Sequence, residues 1–80
     1  MDNIRKYLGV IISIDNIPEG YDMGALSYDT VSKMEGSFIT SAYASHEQDA
    51  IRMMRGDFFF QDFAVDNTIS RYREATEEEL

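Results

Sequence analysis

From Tyr7 to Asp15 the chain alternates: Leu8, Val10, Ile12 and Ile14 fall on one face, and Tyr7, Gly9, Ile11, Ser13 and Asp15 on the other. A period of two predicts a half-buried strand. Pro18 and Gly20 then punctuate the chain, since proline donates nothing to a ladder and glycine tolerates a turn. Between Tyr21 and Lys33 the pattern is mixed, with Met23, Leu26 and Val31 among Asp22, Ser27 and Asp29. This stretch is expected to be a long hairpin connection with room for a short helical turn. Alternation returns near Met34 to Ser37 and lasts to Ala44, with Phe38, Thr40, Ala42 and Ala44 opposite Ile39, Ser41 and Tyr43.

At Ser45 the period changes. Ser45 with Gln48 three places on has capping-box spacing, Glu47 and Asp49 suit the positive end of a helix dipole, and Arg52 and Arg55 suit its later turns. Ala50, Ile51, Met54 and Phe58 form the apolar stripe of that helix. Gly56 offers a stop, but Asp57 to Asp62 does not alternate as a strand would, which favours a helix continuing to about Asp62. Asp66-Asn67 is then a turn into a last strand, Thr68 to Ala75, and the acidic run 76–80 is expected to fray. The order predicts a single α+β domain over residues 1–80: β-β-α-β, a three-stranded antiparallel sheet with one helix packed on one face.

Composition narrows the function classes. Fifteen acidic residues against seven basic ones leave a net charge of −8, which argues against direct binding to nucleic acid or an anionic membrane and favours a basic partner. A hydrophobic content of 44% is too high for a disordered acidic tail. No apolar run is longer than three residues, as from Val10 to Ile12, so no membrane span or secretory signal is read, and a cytoplasmic protein is expected, as a monomer or weak homodimer.

Catalytic chemistry is not legible. Cysteine is absent, and the one histidine, His46, lies in the first turn of the expected helix, where a positive charge is disfavoured. Asp15, Glu19, Asp22 and Asp29 lack the spacing of a calcium loop, and the glycines form no phosphate-binding fingerprint. No enzyme, metal or cofactor is expected. Binding features are clearer. Arg71 and Arg73 share one face of the last strand with Tyr72 between them, and arginine and tyrosine are enriched at interface hot spots. An equal alternative is that both arginines neutralise carboxylates on neighbouring elements. Asp22, Asp29, Glu47 and Asp49 are expected to contribute to one negative face. Among Phe58, Phe59, Phe60 and Phe63, consecutive residues about 100° apart cannot all face inward, so at least one reaches the surface.

Tyr43-Ala44 closing a strand, Ser45-His46-Glu47-Gln48-Asp49-Ala50 opening an acidic helix, and Ser70-Arg71-Tyr72-Arg73 on a final strand resemble the small host RNA polymerase inhibitors of T-odd coliphages and their podovirus relatives. In that family a strand ending in Tyr-Ala leads to an acidic helix, and the last strand carries Thr-Arg-Val-Arg. This chain differs in a longer connection between its first two strands and in its Glu-rich end. The resemblance implies a phage-encoded, non-enzymatic inhibitor seated in the downstream DNA channel of bacterial RNA polymerase. Arg71 and Arg73 would rest on an acidic patch of the largest subunit, and the acidic face would fill space used by DNA. The alternatives are an acidic DNA mimic of anti-CRISPR or anti-restriction type, in which carboxylates bind and the arginines are dispensable, and a small self-associating structural subunit.

Overall fold

A computed structural model describes residues 3–61 and 66–80. Strand β1 (Arg5–Ser13) is followed by 3-10 turns at Ile14–Asn16 and Met23–Ala25, a short helix α1 (Tyr28–Ser32), strand β2 (Phe38–Ala44), helix α2 (Glu47–Phe60), strand β3 (Thr68–Glu74) and a last 3-10 turn, Glu77–Glu79. The sheet is antiparallel with order β2-β1-β3, so the first strand of the chain is the central one. The expected three-stranded sheet with one main helix is what forms.

Alternation along β1 sends two sets of side chains into two different cores. Leu8, Val10 and Ile12 pack with Leu26, Tyr28 and Val31 on one face, while Tyr7 packs with Ala42, Ala44, Ala50 and Met54 on the other. The strand is therefore buried on both sides rather than half-buried, and the residues from Tyr7 to Ile12 are all inaccessible. The connection after β1 supplies the second cover. Ser27 caps α1 by accepting from the Thr30 amide at 3.3 Å, and Tyr28 and Val31 of that helix drop onto the sheet.

Helix α2 buries Ala50, Met54 and Phe58 of the expected stripe, leaves Ile51 half-buried beside them, and runs through Gly56 to Phe60. Its N-cap is His46, without a side-chain cap bond, and not Ser45. Ala44 still pairs with Arg5, and the Ser45 carbonyl accepts from the Arg5 guanidinium at 3.2 Å, which holds the backbone in the sheet and delays the helix by one residue. Asp62 and Phe63 lie outside the described residues. At the start of β3, Asn67 adopts φ 66°, the left-handed conformation that a short asparagine side chain tolerates, and its carbonyl accepts from the Ile14 amide at 2.9 Å.

The C-terminal residues depart from expectation. Thr76 to Leu80 close a capping box and a 3-10 turn instead of fraying, because Glu79 accepts from the Thr76 amide and hydroxyl at 2.9 and 3.0 Å.

Gly9 sits where α2 crosses β1. A Cβ there would lie 2.8 Å from Met54 Sδ and 2.9 Å from Tyr72 Cδ1, and Met54 is completely enclosed. Gly9→Ala is expected to destabilise the protein by about 1–3 kcal/mol through overpacking, and Gly9→Val by more. Chemical denaturation of the two variants checks this, and an unchanged midpoint for Gly9→Ala would show that the helix sits looser on the strand than described.

Candidate functional site

The period of two along β3 separates the three residues of the Arg-Tyr-Arg segment. Arg71 and Arg73 project onto the face covered by α1, pairing across β1 with Val10 and Leu8, whereas Tyr72 lies opposite Gly9 on the α2 face. There Tyr72 is half-buried, packs on the Tyr7–Met54 core and lies 6.2 Å from the Phe58 ring. It belongs to the packing of α2, and its ring is not part of a common surface with the arginines.

Both guanidinium groups are committed within the chain. Arg71 donates from Nε to the Leu26 carbonyl at 2.8 Å, from Nη1 to the Ser70 carbonyl at 2.8 Å and from Nη2 to the Met23 carbonyl at 3.0 Å. It thereby ties the connection after β1 to the far edge of the sheet. Arg73 forks onto Glu79, with Nη1 to Oε1 at 2.6 Å and Nη2 to Oε2 at 2.7 Å, and Nη2 also reaches Asp29 Oδ1 at 2.9 Å. Its guanidinium carbon stacks 4.6 Å above the buried Tyr28 ring. The planar fork of arginine suits such a bidentate, stacked arrangement, which a lysine would not reproduce. Of the two roles open to these arginines, internal neutralisation is the one this geometry describes. One carboxylate, Asp29, comes from α1 at long range, and the other, Glu79, from the C-terminal turn six residues on.

Charge interactions follow from these distances. The Arg73 fork, with help from the Thr76 amide, holds the Glu79 carboxyl down at about 2, and the two carboxylates push the Arg73 pKa up. Burial raises the Tyr28 phenol, partly offset by Arg73. Lys6 Nζ donates to the Glu79 carbonyl at 2.7 Å, and Arg5 Nη1 to Glu74 Oε1 at 3.2 Å.

The acidic residues named from the sequence are divided by the sheet. Asp22 caps the 3-10 turn at Met23 by accepting from the Gly24 amide at 3.0 Å, and Asp29 lies on α1, both belonging to the cover over the Leu8–Val10–Ile12 face. Glu47 and Asp49 open α2 on the opposite face, where Asp49 is 3.6 Å from Arg52. These four therefore do not form one negative face. What the fold gathers instead is acidity at its ends. Asp15, Glu35 and Asp66 flank the end where β1 stops and β2 and β3 begin, and Glu47, Glu77 and Glu78 are exposed at the other. Sequence reasoning missed Glu35 and Asp66 because only the antiparallel register places them at the same end of the sheet.

The aromatic run resolves as its helical phase requires. Phe58 is buried, 6.0 Å edge-on from Phe38, while Phe59 and Phe60 are 74% and 81% exposed. A groove of about 510 Å³ opens beside the other end of α2, lined by Ile4, Tyr43, Ala44, Ser45, Asp49, Arg52 and Met53. Among the described residues no three His, Asp or Glu side chains are grouped to hold a metal ion, and no helix is long and apolar enough to cross a membrane. No known protein family, curated protein or solved structure matches the chain.

Because the folded pKa of Glu79 lies below its ordinary 4.5, its contribution to stability is complete above that value and disappears as pH falls through about 2. Melting temperatures of the wild type and Glu79→Gln are therefore expected to differ at neutral pH and to converge in this acid window. A pH-independent difference would mean that ionisation of Glu79 is not what holds the turn. Arg71→Ala is expected to cost about 2 kcal/mol, since three hydrogen bonds from a charged donor are lost, and Arg71→Lys to recover only part of it.

Proposed function

We propose that this chain is a non-enzymatic inhibitor whose carboxylates occupy a basic, nucleic-acid-binding site on a host protein in the cytoplasm. The observation that carries the reading is the unequal use of charge. Arg5, Lys6, Arg71 and Arg73 all donate to carboxylates or carbonyls of the chain itself, leaving Lys33, Arg52 and Arg55 as the other exposed cations against the exposed carboxylates Glu35, Glu47, Glu77 and Glu78, with Asp15 exposed but accepting from Asn67. A surface built this way is attracted to cationic grooves and repelled by DNA, so it competes for DNA's place.

The density of charge defines what kind of competitor this is. A net charge of −8 along a body 45 Å long amounts to about one per 5–6 Å, against about one per 1.7 Å in duplex DNA. The chain does not reproduce a continuous duplex. Its end clusters fit local basic patches, while the body between them excludes nucleic acid sterically. Bacterial RNA polymerase is the first candidate, through the resemblance to phage inhibitors of that enzyme, with the arginines now assigned to the fold and the acidic ends to binding. An anti-CRISPR or anti-restriction target would use the same chemistry.

Purified polymerase and a DNA-cleaving host complex, each titrated with labelled protein in competition with DNA, test this reading. Binding is expected to be displaced by DNA and to weaken as salt rises from about 50 to 200 mM, less steeply than for a DNA ligand. Charge reversal at one end, Glu47→Lys with Glu77→Lys and Glu78→Lys, is expected to weaken binding at least about tenfold, or about 1.4 kcal/mol. Affinity that is indifferent to both salt and DNA would refute the proposal.

A further inference from the structure

The two edges of the sheet are treated differently. Along β3, Arg71 and Arg73 tie down the cover formed by the connection, α1 and the C-terminal turn, and covering an edge is a common protection against pairing with another chain. β2, the opposite edge, contains no charged residue and no proline from Phe38 to Ala44, and among the described residues no strand lies beyond it. The cover formed by α1 lies over β1 and β3, leaving Ile39 and Tyr43 of β2 48% and 59% exposed. In a protein with a net charge of −8, this is a long uncharged edge flanked by apolar side chains.

Helix α2 adds a second asymmetry along the same edge. Residues 49, 53, 56 and 60 fall within about 60° of one another at 100° per residue, so Asp49, Met53, Gly56 and Phe60 form one stripe. Asp49 and Met53 line the groove at the Ala44 end of β2. Phe60 is at the other end, in the helical turn that lies over Phe38 through Phe58. An exposed aromatic side chain and an apolar groove thus stand at opposite ends of one unpaired strand.

We propose that β2 pairs antiparallel with β2 of a second copy about a two-fold axis through Ser41, giving a continuous six-stranded sheet in which each Phe60 enters the other copy's groove. In this register Ile39 faces Tyr43 of the second copy on one side of the sheet, twice, and Phe38 faces Ala44. The pairing of Phe38 with Ala44 carries the end of α2 towards the groove beside Ala44, Ser45 and Met53. In this register Glu35 comes opposite Glu47 of the second copy, a like-charge approach that salt screens, so the dimer is expected to tighten as salt rises. Thr40, whose hydroxyl donates to Asp57 at 2.7 Å, pairs with Ala42 of the second copy. Gly56, a residue unfavourable within a helix, has open space where a Cβ would project, and the two α2 helices approach along this stripe.

Because the chain has no cysteine, one substitution reports the axis directly. Residues directly opposed in an antiparallel pair have Cα atoms about 4.5–5.5 Å apart, within disulfide range. Under mild oxidation of the full chain, Ser41→Cys is expected to become a covalent dimer. Glu19→Cys, exposed on the connection after β1, is expected to remain mostly monomeric. Ile39→Cys and Tyr43→Cys are expected to cross-link to each other in a mixture and not each to itself. Without oxidant, sedimentation at micromolar concentrations is expected to show a wild-type dimer, and Phe60→Asp or Tyr43→Lys to raise its dissociation constant at least tenfold while the circular dichroism spectrum is kept. A monomeric wild type, or Ser41→Cys that cross-links no faster than Glu19→Cys, overturns the proposal. A dimer unaffected by Phe60→Asp removes the groove contact from it.

Discussion

Burial of one strand on both of its faces is the constraint around which this protein is organised. β1 occupies the centre of a three-stranded sheet, and side chains at successive positions enter different cores. An 80-residue chain must then find two covers for one small sheet. One is α2. The other is assembled from pieces that would not be stable alone: a five-residue helix, a connection with two 3-10 turns, and a C-terminal turn. The glycine at position 9 follows from the same constraint, because α2 approaches the central strand closely enough that Met54 and Tyr72 take up the space of a side chain.

Arginine holds the weaker cover in place. Short segments bury little apolar area and lose backbone entropy on ordering, so hydrogen bonds from a fixed, charged fork contribute disproportionately there. Arg71 gathers the carbonyls of Met23 and Leu26, and Arg73 joins Asp29 of α1 to Glu79 of the last turn over the Tyr28 ring. Cations that fasten the inside leave the carboxylates to define the outside.

The same arrangement shapes the edges. Because the second cover lies over β1 and β3, the outer face of β2 keeps exposed apolar residues, and its backbone edge lacks the charges found on β3. Acidic ends and an uncharged flank are separate surfaces, one suited to a cationic protein and the other to a like strand.

Local periodicity was enough to establish the three strands, the helix through Gly56, its Ala50–Met54–Phe58 stripe and the Asp66-Asn67 turn, because each depends on neighbours within a few residues. It also placed Arg71 and Arg73 on one face. What those arginines bind was beyond it: Leu26 and Asp29 reach them only through the order β2-β1-β3 and the folding of the connection across the sheet, and Glu79 through the turn after β3 that folds the chain back onto Arg73. For the same reason the sequence placed Asp22, Asp29, Glu47 and Asp49 together, when the sheet lies between the two pairs, and left 76–80 unstructured, when a single carboxylate captured by Arg73 orders it. Spacing along a chain determines the face a side chain takes on its own element. Which element covers that face, and which charges it brings, is decided by long-range packing.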